Sequence, residues 1–418
     1  MTITLDVREI GVRGDGIAEE SGERYFVPFT LPGETVEAEP LERRGEGMAA
    51  RLVEVQAPSR HRETPPCAHF AVCGGCALQH WRRDAYTAWK VSLIERALAH
   101  GGVEAPPFEA TVASGPGERR RVDFVLRRQG RRTRAGFHER ASARVVDVGT
   151  CVIARPSLNA LLEPLRTALA EVLPDGASAD AVANETDTGV DLLFRPHKQL
   201  DLSLDRRQAL VELAGRADLA RLSWGDRTWA EPIVVHRQPL VMLGDVAVEP
   251  PPGAFLQATK RGEQAMRAAV SAWTGEAPRL ADLFAGIGSL SLGRPGRLSL
   301  FESEKASMAA ADAVARRIDG NRVVADRRDL FRNPVSAKEL DAFDAVVLDP
   351  PRAGAAAQVA EIVQSKVPRV VYASCDPGSF ARDARALQEG GYRLQRLIPI
   401  DQFLWSAHLE LIALFDRR

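Results

Sequence analysis

A single cysteine closes an apolar run near the end of the chain. In the stretch VVYASCDPGSF, β-branched and aromatic residues lead to Cys375, and Asp376-Pro377-Gly378 then breaks the chain. A structural cysteine would normally lie within such a run as a small apolar side chain. A thiol at the tip of the run is instead placed for contact with a ligand, so Cys375 is a candidate reactive group.

The elements that must position this thiol begin near Leu240. Four apolar runs of strand length, RLADLF, RLSLFE, FDAVVLD and PRVVYASC, alternate there with helical stretches, and GYRLQRLIPI and HLELIALF follow as an antiparallel pair. The alternation predicts a doubly wound α/β domain with a parallel sheet. Ligands of such sheets bind beyond the carboxyl ends of the strands. A further strand leads to VVADRRDLF and is the third along the chain, so Asp349 and Cys375 end the fourth and fifth strands, and both are expected at the ligand-binding edge.

The turn after the first of these runs has the composition of a nucleotide-binding turn. DLFAGIGSLSL places Gly286 and Gly288 between a strand and a helix, and Ser291 stands where a third glycine would indicate a nicotinamide nucleotide. The pattern favours a nucleoside ligand without a pyrophosphate, such as S-adenosylmethionine. Glu302 ends the next strand, where a carboxylate would accept the ribose hydroxyls. Asp326, in the third strand, would bond the adenine amino group.

Four other cysteines have the spacing of a metal site. CAHFAVCGGC gives Cys67-x5-Cys73-x2-Cys76, and Cys151 is the only other cysteine before the α/β domain. Four sulfur ligands fit a [4Fe–4S] cluster or a tetrahedral zinc equally well. The histidines that are alternatives for one of these ligands are His69 and His80.

Length and composition predict a cytoplasmic protein of about two or three domains. The chain has 418 residues, 45% hydrophobic and 27% charged, with a net charge of −1. Its start, MTITLDVREI, lacks the apolar block of a signal peptide, and no apolar window is long enough to span a bilayer. We therefore expect no membrane association. A net charge this small neither favours nor excludes a nucleic-acid partner.

An arginine-rich stretch occupies residues 117–140. Two interpretations stay open for it, a solvated hairpin or a phosphate-binding face, which the planar guanidinium group would suit. The arginines are Arg119, Arg120, Arg121, Arg127, Arg128, Arg131, Arg132 and Arg134.

Short strand-like runs separated by glycine-containing turns fill the start of the chain. They predict a small β-barrel over residues 1–58. A mixed α+β domain is expected over residues 59–239, and the α/β domain over residues 240–418.

Together these residues resemble the bacterial RNA uridine-5-methyltransferases, iron–sulfur enzymes that make 5-methyluridine. The resemblance covers nearly the whole chain. GVRGDGIAEESGERYFVPFTLPGETV is similar to the family's TRAM domain, a small OB-like RNA-binding barrel, and ERRRVDFVLR resembles part of its central RNA-binding domain. CAHFAVCGGCALQH with Cys151 resembles the family's [4Fe–4S] ligand set, which favours the cluster over zinc.

The resemblance also implies roles for single residues. DLFAGIGSL, LDPPR, SCDP and HLE occur in the family's order, which puts its nucleophile on Cys375 and its general base on Glu410. FLQAT resembles the F-x-Q-x-N element, with Thr259 in place of the usual asparagine, and Ser289 stands where an asparagine is common. The implied cofactor contacts are Gln257, Phe284, Glu302, Asp326 and Asp349.

The implied reaction is methyl transfer from S-adenosylmethionine to C5 of uridine in RNA, with Cys375 bonded covalently to C6. The role requires a lowered thiol pKa. A TRAM-like barrel is common in ribosomal-RNA members of the family, so 23S rRNA is favoured and tRNA is the alternative. Methylation of cytosine C5 and a non-catalytic RNA-binding role are the other hypotheses. No protein partner is evident, and a monomer is expected.

Overall fold

The computed structural model describes residues 1–226, 228–318 and 322–417. The chain divides into two compact units. The first comprises Met1–Leu93, Phe137–Val146 and Phe403–His408, and the second comprises Ile94–Gly136, Asp147–Gln402 and Leu409–Arg418. None of the described helices combines the length and apolar character that crossing a bilayer requires. The division into three domains stays a prediction.

A closed barrel forms the start of the first unit, as the sequence predicts. Its strands are β1 (Ile3–Ile10), β2 (Gly16–Glu20), β3 (Glu23–Val27), β4 (Thr35–Arg44) and β5 (Gly47–Ala57). They are joined in the order β1-β2-β3-β5-β4. Leu5 and Val7 lie two positions apart on β1 and both enter the barrel core, because alternate strand residues share a face. A side chain at Gly16 would overlap Thr30 inside the barrel.

The middle of the chain supplies a second sheet and its helices. In the order β13-β12-β11-β10-β7-β8-β9, seven strands form this sheet, while β14 pairs with β15 separately. The elements are α1 (Arg83–His100), β6 (Val112–Ala113), β7 (Arg121–Gln129), β8 (Arg132–His138), β9 (Val145–Asp147), α2 (Pro156–Asn159), α3 (Leu162–Val172), β10 (Ser178–Thr186), β11 (Gly189–Pro196), α4 (Leu204–Arg216), β12 (Leu219–Gly225), β13 (Ala230–Val235), β14 (Val241–Leu243) and β15 (Val246–Val248).

The remaining elements form the predicted α/β sheet. They are α5 (Lys260–Thr274), β16 (Arg279–Leu283), β17 (Arg297–Glu302), α6 (Lys305–Ala315), β18 (Val323–Arg327), α7 (Ala337–Leu340), β19 (Ala345–Leu348), α8 (Ala356–Gln364), β20 (Arg369–Ser374), α9 (Pro377–Glu389), β21 (Tyr392–Asp401) and β22 (Glu410–Arg417). The strand order is β18-β17-β16-β19-β20-β22-β21-β6. Strands β16 to β20 are mutually parallel, and β22 runs antiparallel to both β20 and β21.

Apolar clusters cover both faces of this sheet, which explains why its strands are continuous apolar runs. On β19, Val346 and Leu348 belong to one cluster, while Ala345 and Val347 belong to the other. The strand order reverses direction between β16 and β19. A ligand-binding crevice is therefore expected beyond the carboxyl ends of these two strands.

The arginine-rich stretch contains both buried and exposed arginines. Arg120 is 4% exposed and pairs with the equally buried Glu263. Its Nε also donates to the carbonyl oxygen of Gln257 at 3.0 Å. Arg131 and Arg132 are exposed at the turn between β7 and β8. A phosphate-binding face therefore cannot include Arg120, whose charge stabilises the segment that precedes α5.

Replacing Arg120 by alanine is expected to lower the free energy of unfolding by about 3–5 kcal/mol, because the Glu263 carboxylate stays buried without its cation. Arg131→Ala is the matched control on the same stretch, with an expected change within about 0.5 kcal/mol. Calorimetric unfolding of the three proteins measures both effects. An Arg120→Ala protein as stable as the wild type would contradict a structural role for the pair.

Candidate active site

A cavity of about 620 Å³ opens beyond the carboxyl ends of the parallel strands. Loops after β16, β18, β19 and β20, the end of β17, the start of β22 and the segment before α5 contribute its walls. Six of the seven residues that the sequence assigns to the catalytic and cofactor sites line it, namely Gln257, Phe284, Glu302, Asp349, Cys375 and Glu410.

Strand register brings Cys375 and Glu410 together. Cys375 directly follows β20, and Glu410 is the first residue of β22. Because these strands are antiparallel, the start of β22 meets the end of β20, and Ser374 pairs with Leu411. Two residues that are far apart in sequence therefore reach one edge of the cavity.

The environment of Cys375 disfavours the thiolate. Burial, together with the neighbouring Glu410 and Asp349 carboxyls, raises the pKa of the thiol to about 11, while Arg352 opposes them. The lowered pKa that the reaction requires is therefore absent from this arrangement. The sequence shows the strand end but not the two carboxyls that converge on it, and both disfavour another negative charge.

Both carboxyls beside the thiol hold their protons more tightly than usual. Burial and the nearby Asp282 raise the pKa of Asp349 to about 7. Burial and Asp349 raise the pKa of Glu410 to about 8. Two carboxyls so close together interact, so their protonation states depend on each other.

Two amide side chains connect these carboxyls. Gln257 Nε2 donates to Asp349 at 3.2 Å, and Gln402 Nε2 donates to Gln257 Oε1 at 2.7 Å and also to Glu410. The sequence pattern did not indicate Gln402. Its position directly after β21 was the available signal, since β21 pairs antiparallel with β22 and Ile400 faces Glu410.

The part of the cavity where the sequence predicts a nucleoside lies at the end of β16. Phe284 has a positive φ of 63°, an uncommon conformation for a bulky residue that concentrates at functional sites. Gly286 and Gly288 follow with φ of 56° and 82°. The Gly286 amide donates to Glu302 at 3.1 Å, which holds that carboxylate against the glycine turn.

Asp326 does not line the cavity, whereas Asp329 does. Asp326 lies within β18 and forms an ion pair with Arg328 at 3.1 Å. The strand ends at Arg327, so it is the residues after that position that turn toward the crevice. The ADRRDLF stretch contains two aspartates, and the sequence alone did not show which of them follows the strand end.

Thr259 caps a helix. Its hydroxyl accepts from the Gly262 amide at 3.1 Å at the start of α5 and also bonds the Ser114 hydroxyl at 2.7 Å. A threonine in place of the usual asparagine is compatible with this position, because threonine is an effective N-cap residue. Ser289, the other departure from the family pattern, lines the cavity.

The clustered cysteines lie in the first unit, and Cys151 lies in the second. All four are half-buried thiols rather than disulfides. The Gly75 amide points at Cys73 Sγ at 3.4 Å, a contact that favours a thiolate. In the described ranges, no three or more histidine, cysteine, aspartate or glutamate side chains are grouped closely enough to hold a metal ion.

The two alternative ligands differ in burial. His69 is half-buried, and its carbonyl oxygen accepts from the Cys73 amide at 2.9 Å. His80 is buried, and burial lowers its pKa to about 4. Its imidazole is therefore neutral at physiological pH.

Comparisons with known proteins match this chain to RNA methyltransferases. A family model described as tRNA (Uracil-5-)-methyltransferase matches residues 320–418. A solved tRNA (uracil-54, C5)-methyltransferase of Pyrococcus abyssi, in complex with S-adenosyl-L-homocysteine, superimposes with a TM-score of 0.77 over 99% of both chains. At 22% identity this likeness establishes the fold.

Sequence relatives cover the whole chain. An uncharacterized RNA methyltransferase of Brucella suis is 40% identical over 99% of this chain and 97% of its own. The 23S rRNA (uracil(1939)-C(5))-methyltransferase RlmD of Aeromonas hydrophila is 33% identical over 96% of this chain and 93% of its own. The chain therefore belongs to the RNA (uracil-5-)-methyltransferase family and is an enzyme of that class.

Proposed function

We propose that this enzyme methylates C5 of one uridine in 23S rRNA through a covalent bond between Cys375 and C6 of the base. The observation that carries the proposal is that Cys375, Glu410 and Asp349 line one cavity, which the glycine turn after β16 also lines. The RlmD relative from Aeromonas hydrophila supports 23S rRNA as the substrate.

The part of the cavity beside the glycine turn fits S-adenosylmethionine, which supplies the methyl group on a sulfonium ion. Glu302 is placed to accept the ribose hydroxyls, and Gly286 leaves room beside the backbone. Asp282 lines the same cavity and has a buried Oδ1 without a hydrogen-bond partner among the described residues. Gln257 and Phe284 also line the cavity, and Asp329 replaces Asp326 as the candidate for the adenine edge.

The proposed steps use the thiol and one carboxyl. The Cys375 thiolate forms a bond to C6, and the displaced electron pair makes C5 nucleophilic. C5 then bonds to the methyl carbon while the bond between that carbon and the sulfonium sulfur breaks, and its electron pair stays on the sulfur, which leaves as a neutral thioether. Glu410 then removes the C5 proton. The electrons of that C–H bond restore the C5–C6 double bond, and the bond between C6 and sulfur breaks, which regenerates the Cys375 thiolate.

The raised pKa of Glu410 suits proton removal. A carboxylate with an ordinary pKa is a weak base, whereas a pKa of about 8 lies near the working pH. The thiol has to lose its proton before it attacks. Arg352 supplies the positive charge that favours this ionisation.

The rest of the chain is assigned to RNA binding and to a metal cluster. Residues 1–58 form the TRAM-like barrel, residues 59–239 the central RNA-binding domain, and residues 240–418 the methyltransferase domain of a cytoplasmic monomer. The exposed guanidinium groups of Arg131 and Arg132 are available to phosphates.

We propose a structural [4Fe–4S] cluster held by the four cysteines outside the catalytic site. Four thiol donors are the ligand set of such clusters. The amide of Gly75, which donates to Cys73 Sγ, supports a thiolate there. The proposed ligands are Cys67, Cys73, Cys76 and Cys151.

The direct test incubates anaerobically purified enzyme with labelled S-adenosylmethionine and unmodified 23S rRNA or tRNA transcripts. We expect 5-methyluridine in the 23S rRNA alone, measured by nucleoside mass spectrometry. Label on tRNA would show that tRNA is the substrate, and label on cytidine would show that uridine is not the methylated base. Cofactor binding without methylation of either RNA would favour a non-catalytic role.

Variants of the two catalytic residues should fail at different steps. Cys375→Ala is expected to give neither product nor a covalent complex with RNA. Glu410→Gln should slow turnover by about 10²–10⁴-fold while a complex that survives denaturing electrophoresis and carries the new methyl group accumulates. Glu389→Gln, on the exposed end of α9, is the control. A Cys375→Ala protein that still forms 5-methyluridine would contradict the mechanism.

Iron content tests the cluster. Cys73→Ser is expected to remove most of the iron and acid-labile sulfide from the anaerobically purified protein. Cys375→Ser should leave both contents unchanged, because this thiol is assigned to catalysis. Elemental analysis that finds one zinc and no iron in the wild type would contradict the assignment.

A further inference from the structure

Gln402 uses its whole amide group inside the protein. The side chain is 2% exposed and directly follows β21. Its Oε1 accepts from the Thr259 backbone amide at 3.2 Å, while its Nε2 donates to Gln257 Oε1 at 2.7 Å and to Glu410 Oε2. An amide with one acceptor and two donor bonds in a buried site is fully satisfied.

The backbone of Thr259 determines which way this amide points. A backbone N–H can only donate, so the atom of Gln402 that faces it must be the oxygen. The NH₂ group therefore faces Gln257 and Glu410. The reverse orientation would place two donors against each other in a buried site, which is unfavourable.

This orientation makes the two oxygens of Glu410 unequal. Oε2 accepts from Gln402, so a proton on the carboxyl is favoured on Oε1, because a carbonyl oxygen accepts a hydrogen bond more strongly than a hydroxyl oxygen does. The side chain of Glu410 also lines the cavity. The donated hydrogen bond favours the ionised carboxyl, since it strengthens when the acceptor is charged.

We infer that Gln402 is a positioning residue that favours the ionised form of Glu410 and leaves Oε1 as the atom that takes the proton from C5. The inference rests on the proposed function, because it assigns a role within that reaction. Gln402 itself touches neither substrate nor cofactor in this scheme. It acts only through Glu410 and, on its other side, through Gln257.

Other charged and titratable groups surround Glu410 and set the background for its ionisation. Asp349 disfavours the carboxylate, whereas the Gln402 hydrogen bond favours it. Asp349 is in turn affected by Asp282. The remaining titratable and charged groups around this edge are Cys375, Asp376, Arg352 and the buried Asp401.

Loss of the Gln402 donor should move the pH dependence in one direction. Without it the pKa of Glu410 rises further, so less of the carboxyl is ionised at neutral pH. Removal of the C5 proton needs the ionised form, so the rising limb of the pH–rate profile should shift to higher pH. The expected shift is about one pH unit, which corresponds to the free energy of one hydrogen bond to a charged group.

The experiment uses full-length Gln402→Met and Gln402→Glu enzymes with the RNA that the wild type methylates. Methionine keeps the length of the side chain and removes the amide. Glutamate keeps an acceptor for the Thr259 amide and replaces the neutral amide donor with a second acidic group, which should also raise the pKa of Glu410. It therefore remains informative if the methionine protein folds poorly. Gln358→Met is the matched control, because Gln358 is a fully buried amide bonded to Val335 outside the cavity lining.

Two readouts separate this role from a structural one. We expect both Gln402 variants to show the pH shift and, at neutral pH, to accumulate methylated covalent complex several-fold above the wild type and above Gln358→Met. A defect confined to Cys375 would reduce that complex. Wild-type pH profiles without accumulation in either variant would overturn the inference, as would an equal loss of rate at every pH.

The wild-type enzyme distinguishes this failure from that of the proposed function. If the wild type makes no 5-methyluridine in any RNA, the proposed reaction fails first. If it makes 5-methyluridine through a covalent complex while the Gln402 variants behave like Gln358→Met, only the positioning role is lost.

Discussion

The burial of three acidic groups at one edge of a sheet is the constraint on which the site depends. Asp349, Cys375 and Glu410 would each become negative on ionisation, and each has its pKa raised by burial and by its neighbours. They cannot all ionise together without a large electrostatic penalty. The side chains that donate hydrogen bonds to the two carboxyls are neutral amides, Gln257 and Gln402, which add no charge.

Neutral donors have a different consequence from cations. An arginine against Glu410 would hold the carboxyl ionised with a low pKa, and such a carboxylate would be a weak base. An amide satisfies the oxygen and leaves the pKa near 8. Arg120 instead forms its ion pair with Glu263 and donates to the backbone of Gln257. The ion pair thus stabilises the backbone that carries Gln257, while the groups at the cavity edge remain able to exchange protons.

The sequence predicted those parts of the site that depend on local pattern. The ends of β19 and β20 follow from apolar runs that stop at Asp349 and Cys375, and the glycine turn after β16 follows from small residues between a strand and a helix. Glu410 came from the resemblance, and the antiparallel register explains its position. Gln402 and Asp329 were missed because their contacts depend on which residue follows the strand end, a detail that pattern leaves uncertain by one or two positions.

Burial was the property that sequence pattern described least well. Arg120 belongs by composition to a basic stretch, yet its depth makes it a partner of Glu263 rather than of solvent anions. The direction of the Cys375 pKa was missed for the same reason, since desolvation and two converging carboxyls are products of tertiary structure. A one-dimensional pattern records which residues are charged, but the free energy of charging them depends on what surrounds them.

Ionisation of Glu410 therefore lowers the stability of the fold while it provides the base that the proposed reaction needs. Glu410 is bound more tightly to its proton in the folded protein than in the unfolded chain, so between its ordinary pKa of 4.5 and about 8 the folded state holds more protons. The free energy of unfolding consequently falls as pH rises through that interval. In the reaction that we propose, the ionised form that burial disfavours is the form that accepts the C5 proton. Gln402 stabilises that form within the fold, which is why a single buried amide can affect both the basicity of the site and its stability.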